Sequence, residues 1–574
     1  MKKFFLILIG LIVPLVSKAA DLPQILSDID ASLYEQIFML QDKEKIDTAI
    51  KVQNQIADKL LMNEVLYQRY ISDTYRTRGA EIAAWMERYY DMPGATRMAK
   101  LAKIKQATAR KPSVPSIMTG SESIETAQSE TWTAKKYIGD TDKKINQFKR
   151  AIRSGSTKVA RQILEDKAFR KKLTESDYGR LAGRLAYIYY TNGEMELAKK
   201  WGFISSDAKS EYGLWTMGLL YFKEENYIES QKYFSRILEL QQINNARKTE
   251  AAFWAGRAAD LKGDKRAAKQ YWRVAAAYPM AFYGALSATM LGHKPEYEFF
   301  EQDVTDEDLA ELANTKYGKM ALALLQVGQK DRAEEYLKYL ITSKSSDRIL
   351  HAVNAVAGEY ALARLSVQSA SVIKDRGILE IDDDIIYSAQ YPLPDWEPMG
   401  GWSIDRALLL AIAKQESNFR THAKSDAGAN GIMQLMPSTA KRVARANKVD
   451  ISQMDMSNPE HNMFLGQQHI VDLLAHPNIE NNIIKMLAAY NAGMGNVNKF
   501  EKNFYTYDPL LYIESFPAYE TRNYIKRVIS NLWLYRARLN QPLTSMEELA
   551  NGNWPLYNSE DEYVQRQIAE RMMI

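Results

Sequence analysis

Apolar residues recur three and four positions apart along most of this chain, with polar residues filling the opposite stripe, which is the period of a helix and not of a strand. Between residue 20 and about residue 390 this helical pattern is almost continuous. Three stretches read as helix-turn-helix units: residues 181–201 turning at Asn192 and Gly193, residues 214–238 turning near Glu225 and Asn226, and residues 251–278 turning at Gly263 and Asp264. The turns fall 33 to 37 residues apart, close to the tetratricopeptide period of about 34. Ala, Tyr and Trp stand at the helix-facing positions. One such unit cannot bury its apolar face alone, so the pattern predicts a solenoid of stacked helix pairs. A weaker unit turns at Gly328.

Two interruptions divide the pattern. Residues 111–123, with Pro112, Pro115, Gly120 and several serines, read as a loop and mark a boundary inside the N-terminal part. Residues 391–401, YPLPDWEPMGG, break helix repeatedly and read as a linker. Beyond it Ser403 is placed to cap a first turn holding Asp405, and Leu408, Leu409 and Ile412 follow at helical spacing, so Glu416 falls near the C-terminal end of a half-buried helix. That is an unfavourable place for a carboxylate. The negative end of the helix dipole and apolar neighbours such as Phe419 disfavour ionisation, which predicts a raised pKa and a carboxyl able to serve as a general acid near neutral pH. A solvated Glu at a helix end is the plain alternative, and local context alone does not exclude it.

Four ordered motifs decide the matter. Glu416, Ser417, Asn418 and Phe419 are followed by Ser425, Ala427, Gly428, Ala429 and Gly431 through Pro437. Downstream lie Ala489, Tyr490, Asn491, Ala492 and Gly493, and then IESFPAYETRNY over residues 513–524. Together they resemble the signatures of the soluble lytic transglycosylases. Residues 278–292, YPMAFYGALSATMLG, also resemble an element common in that family's superhelical domain. The resemblance implies an all-α chain. A signal peptide over 1–19 precedes an N-terminal α-superhelical, tetratricopeptide-like solenoid over 20–390. The linker 391–401, a mostly helical lysozyme-like catalytic domain over 402–540 and a tail of unassigned role over 541–574 complete it.

The family's reaction, as the resemblance implies it, cleaves the β-1,4 bond between N-acetylmuramic acid and N-acetylglucosamine in peptidoglycan. One glutamate, here Glu416, protonates the leaving oxygen and then takes the proton of the muramoyl C6 hydroxyl as it closes on C1, leaving a 1,6-anhydro end. Ordinary glycosidases use two carboxyl groups; here an internal hydroxyl replaces the second, and Asp426 reads as a turn residue. Ser425, Gln434, Met436, Tyr490, Asn491, Glu514 and Tyr524 are the expected substrate-binding residues. Glu514 or Glu520 has a structural ion pair with Arg522 as its other reading. Gly428 and Gly431 are expected to serve backbone geometry, and Met433 and Leu435 the core. The family's Pro after the acid is missing, since Arg420, Thr421, His422 and Ala423 stand there, and a less rigid loop is expected. A hydrolytic muramidase like the goose-type lysozymes, or a non-catalytic envelope scaffold built on the repeats, would share the fold.

Composition narrows the setting. Lys2 and Lys3 precede a 13-residue apolar run over 4–16, then Ser17, Lys18, Ala19 and Ala20, the layout of a secretory signal cut after Ala19. The run is too short to span a bilayer. No cysteine is present, which excludes a lipoprotein anchor and disulfides. A periplasmic location in a Gram-negative cell is expected, with no integral membrane anchor. The net charge of +4 on 574 residues suits an anionic cell wall without the focused basic stripe that nucleic acid needs. His293, His351, His422, His461, His469 and His476 show no metal-ligand spacing, so neither metal nor cofactor is expected. The partners expected are peptidoglycan glycan strands and, through the solenoid, other envelope proteins.

Overall fold

A computed structural model of the chain describes residues 22–120, 136–241, 243–378 and 383–572; the expected signal segment and residues 121–123 of the expected boundary lie outside them. Among the described residues the regular structure is helical, with isolated bridges and no strand. No helix there is long and apolar enough to cross a membrane. The fold class is the all-α one that the apolar period predicts. Contacts divide the chain into two compact units, each made of two separated segments: Met1–Glu122 with Phe299–Asp395, and Ser123–Glu298 with Trp396–Ile574. Residues 20–390 thus do not form one body, because their middle part packs on the C-terminal segment.

In the first unit, the helix Asp28–Asp42 and those after it bury Tyr34, Phe38 and Trp85 in one core with Leu337, Leu350 and Val353 of the later segment. Polar bonds fix the register. The Leu26 N–H donates to Gln326 Oε1, and Gln326 Nε2 donates back to the Leu26 carbonyl, both at 2.9 Å. Buried Glu64 accepts from the Tyr336 hydroxyl at 2.7 Å and pairs with Arg332 at 3.2 Å, which meets the need of a buried charge for partners. The helix pair turning at Gly328, Lys316–Gln326 and Lys330–Lys338, belongs to this unit.

The second unit holds three helix pairs in tandem: Glu175–Thr191 with Met195–Asp207, Glu211–Lys223 with Tyr227–Leu238, and Asn245–Leu261 with Lys265–Ala276. They turn where the polar interruptions predict. Asn226 and Asp264 accept from the backbone N–H of Glu229 and Ala267, which caps the second helix of each pair. Aromatic packing joins one pair to the next. Trp254, fully buried, meets Phe222 edge-on at 4.9 Å and Phe234 at 5.8 Å between ring centroids.

The helix Phe282–Met290 ends this series and joins the repeats to the C-terminal segment of the same unit. Phe282 stacks on Trp533 at 5.3 Å, and the Tyr283 hydroxyl donates to Glu514 Oε1 at 2.7 Å. Gly284 lies so close to the preceding turn that a Cβ would stand 1.8 Å from the Tyr278 carbonyl oxygen. Backbone cannot retreat as a flexible side chain can. Gly284→Ala is therefore expected to cost about 3 kcal/mol, the upper range for overpacking, and to appear as a lowered midpoint in urea unfolding. A midpoint equal to wild type would refute the close approach.

Candidate active site

The helix Arg406–Ser417 carries Glu416 one residue from its end. Ala407 through Ala413 are all buried, so the helix is enclosed on every face over two turns and is not the half-buried helix that spacing alone suggested. Its start differs too. Asp405, and not Ser403, occupies the N-cap position, and its side chain makes no cap bond to its own helix. Instead the fully buried Asp405 carboxylate accepts from the Ser559 hydroxyl and the Glu560 N–H, and pairs with Arg536. Arg406 binds Asp561 at 2.8 Å beside it. The tail beyond residue 540 therefore locks the beginning of the helix whose end carries the acid.

At the other end the chain reverses through two successive non-glycine residues in the left-handed region, Asn418 at φ 48° and Phe419 at φ 61°. This conformation is uncommon for a bulky residue and costs on the order of 1 kcal/mol. Burial of Phe419, whose ring lies 6.3 Å from Trp396, holds it in place. Ser417 Oγ donates to the Ile432 carbonyl at 2.8 Å and so ties the helix end to the second motif. The loop that lacks proline is closed by backbone bonds, Ala423 N–H to Arg420 O at 3.0 Å and Gly431 N–H to Ala423 O at 2.9 Å. Gly431, at φ 76°, leaves no room for a side chain: a Cβ would fall 2.2 Å from Asn462 Nδ2 and 2.4 Å from the Met456 carbonyl oxygen. Asn462, fully buried, accepts from Met433 N–H at 2.8 Å and donates to Asn430 O at 3.2 Å.

Three of the expected site residues meet here: Glu416, Tyr490 and Tyr524. Glu416 is partly buried, and burial raises its carboxyl pKa to about 7; the Tyr524 hydroxyl offsets part of this, and the charge of Glu520 adds to it. The Tyr524 hydroxyl is itself buried and near the carboxyl, but it completes no hydrogen bond of standard geometry. It is an oriented neighbour of the acid. The Tyr490 and Tyr524 rings lie parallel within 9° at 6.4 Å, and the Tyr490 hydroxyl donates to the Met433 carbonyl at 2.8 Å. That hydroxyl is thus engaged with the loop and not aimed at the acid. Burial, and then the Glu416 charge, push both phenols far above their usual value. Beside Tyr490, at 5.3 Å between ring centroids, burial and Arg442 lower His469 to about 4, so it is neutral at pH 7.

The remaining expected residues are distributed around this centre. Ser425 Oγ accepts from Ala429 N–H at 2.9 Å, and Gln434, itself at φ 45°, donates to Gly431 O at 2.8 Å and Ala423 O at 3.2 Å. Met436 is 40% exposed at the start of the helix Pro437–Ala446. Asn491 Oδ1 accepts from Thr521 Oγ1 at 2.7 Å. Met433 and Leu435 are core residues, and Asp426 stands exposed in its turn. Glu514 is 2% exposed and bound to Tyr283 and Lys526, while Arg522 donates to Tyr187 Oη and the Phe516 carbonyl. The ion pair read as Glu514 or Glu520 with Arg522 is therefore replaced by Glu514 with Lys526, which lies on the adjoining helical turn. A cleft of about 960 Å³ is lined by Arg247, Glu250, Arg522, Lys526 and Glu520 among others. Glu416 is not on its wall.

Sequence reading missed Asn462 as part of the site, and it named Ser417 only within its motif and Glu520 only as an ion-pair candidate. Asn462 has no motif around it. Glu520 was in view within ETRNY, and its i, i+4 spacing to Tyr524 was the signal that places both on one helix face.

Residues 397–513 match the family described as the transglycosylase SLT domain. A Haemophilus influenzae protein named "Putative soluble lytic murein transglycosylase" is 27% identical over 395 residues, 62% of this chain and 64% of its own length. The Escherichia coli soluble lytic murein transglycosylase is 34% identical over 149 residues, 25% of this chain and 23% of its own length. The chain thus spans less than two thirds of either relative. Among solved structures, the 70 kDa soluble lytic transglycosylase of Escherichia coli aligns at a TM-score of 0.53 and 17% identity, covering 92% of this chain and 100% of that one. An inactive mutant of the lytic transglycosylase Slt from Pseudomonas aeruginosa aligns at 0.54 and 19%, covering 87% and 76%. At these identities the two structures bear on fold alone. Residues 397–513, which carry Glu416 and Tyr490, thus match the transglycosylase SLT domain, and the relatives that resemble the chain are named as lytic murein transglycosylases.

Proposed function

We propose that this chain is a peptidoglycan lytic transglycosylase acting in the periplasm on the bond between N-acetylmuramic acid and N-acetylglucosamine. The observation that carries the reading is Glu416, a partly buried carboxyl raised to about 7 and lying near Tyr490 and Tyr524. Such a group is substantially protonated at neutral pH and still releases its proton readily. It donates that proton to the leaving glycosidic oxygen as the C1–O bond breaks. The muramoyl C6 hydroxyl then bonds to C1, and its proton returns to Glu416. Atoms balance without water, and ring closure gains from the intramolecular placement of the attacking oxygen. In this reading Ser425, Gln434 and Asn491 orient the acetamido groups, Met436 packs on the sugar, and Tyr490 and Tyr524 shape and dry the acid's surroundings. Glu514 is assigned a structural part.

One observation favours a second reading. Glu520 is a carboxylate close enough to Glu416 to raise its pKa, and two carboxyl groups flanking a bond are the equipment of hydrolysis. Digestion of purified sacculi followed by mass analysis separates the two. The expected products carry 1,6-anhydro-muramoyl ends, one water lighter than hydrolytic products. Reducing muramic acid ends alone would establish hydrolysis and sink the transglycosylase reading.

A further inference from the structure

The helix Tyr519–Arg538 has two occupied faces beside the site. Its inner face carries Tyr524, buried beside Glu416, and Thr521, which binds Asn491, while Glu520 in the exposed first turn lines the cleft and acts on Glu416 through its charge. Its outer face, Arg522 and Lys526 at i and i+4, looks toward the repeats. Tyr524 and Lys526 are two residues apart and so point about 200° from each other around the helix. Lys526, with a side chain 10% exposed, is bound to Glu250 of the helix Asn245–Leu261 and, at 2.9 Å, to Glu514. Glu514 also accepts from Tyr283, while Arg522 reaches Tyr187 at 2.7 Å. Every charge in this cluster has a partner on another element. Burial opposes ionisation of Glu250, yet Lys526 and Arg247 hold it below the ordinary carboxylate value. Burial likewise opposes charge on Lys526, and the two carboxylates keep it raised.

We propose that Lys526, Glu250 and Tyr283 are positioning residues for the reaction, their cluster with Glu514 pinning the outer face of the helix to the repeats and so setting how closely its inner face covers Glu416. This inference rests on the proposed function. It gives the repeats a part in the chemistry, from residues 166 and 133 positions before the acid. Three groups that titrate or carry charge interact with Glu416: Tyr524 and Glu520 from the pinned helix and Tyr490 from the helix Ile483–Ala492. Loosening the cluster moves two of them.

The test uses the full chain on purified sacculi, with kcat, KM and the pH profile measured for Glu250→Gln, Lys526→Met and their combination. A misplaced helix is expected to lower kcat about 10-fold with KM within about 2-fold of wild type, because near-attack geometry is lost while glycan contacts remain. The alkaline limb of the profile is expected to move to lower pH, since burial is the main cause of the raised Glu416 value and water now reaches it. The double variant is expected to fall no further than Lys526→Met alone, as for groups acting as a unit. Tyr283→Phe removes one hydroxyl with the ring retained, and the same changes are expected at smaller size. It keeps the test decisive where a charge variant fails to fold. Folded Glu250→Gln and Tyr283→Phe with wild-type kcat and an unmoved limb would overturn the inference while an active wild type leaves the proposed function standing. A wild-type chain without activity on sacculi would sink the proposed function, and this inference with it.

Discussion

Glu416→Gln is expected to abolish nearly all cleavage of peptidoglycan while leaving the fold and glycan binding in place. The amide keeps the shape of the carboxyl and removes its transferable proton. Since one group serves as both acid and base in the proposed reaction, the loss in kcat should be on the order of 10³-fold or more, within what general acid–base catalysis contributes. Wild-type activity should fall as pH rises through about 7, where Glu416 loses its proton. The same substitution should change stability in a pH-dependent way. The folded protein holds this proton to about pH 7, against a reference value of 4.5 for a free glutamate, so folding is progressively penalised as pH rises between these values. Glu416→Gln should therefore be more stable than wild type at pH 8, by on the order of 2 kcal/mol, with the gain shrinking toward pH 4. Retained cleavage would refute the assignment of the acid. A stability gain unchanged between pH 4 and pH 8 would refute its raised pKa.

The second large effect lies at the other end of the same helix. Asp405→Ala is expected to destabilise the second unit by about 3–5 kcal/mol, the cost of leaving a buried charge without its partner. Arg536, 2% exposed, loses its buried carboxylate and keeps Glu560 at 3.9 Å and the Asn558 carbonyl, and the Ser559 hydroxyl and Glu560 N–H lose their acceptor. Thermal unfolding followed through tryptophan fluorescence would read the loss. Truncation after Asn540 should produce the same defect, because it removes the segment that Asp405 binds. An Asp405→Ala protein melting within a degree or two of wild type would show that the tail does not hold the helix.

How much of this was legible follows from the range of each interaction. The repeat turns at Asn192, Asn226 and Asp264 were legible because a cap, a polar gap and an apolar period all lie within a few residues of one another. Glu416 and its motifs were legible for the same reason, and the helix carrying Tyr524 could be placed from its spacing. The role of Asp405 was not. Its partners stand more than 130 positions away, and nothing in the local pattern distinguishes a cap that bonds its own helix from one that turns to a distant segment. The partners of Glu514 were out of reach for a related reason. IESFPAYETRNY suggests a cleft residue, and Glu514 does line the cleft, but its bond to Tyr283 is made to a residue 231 positions away. The two-segment make-up of each unit was likewise invisible, because the period of a helix says what it buries and not against which partner.

That make-up governs the order in which the chain can fold. The segments alternate, first unit, second unit, first unit, second unit, so as residues emerge in sequence the early helices around Tyr34, Phe38 and Trp85 have no core to join until residues 299–395 follow. Leu26 waits for Gln326, 300 positions later. At about 5–20 residues per second of synthesis, that interval lasts tens of seconds, and loops of this length must close before their contacts return any energy. The apolar faces of the first segment are open to aggregation throughout. Efficient production of this chain should therefore depend on a holding chaperone for its first 122 residues more than on the stability of the finished fold.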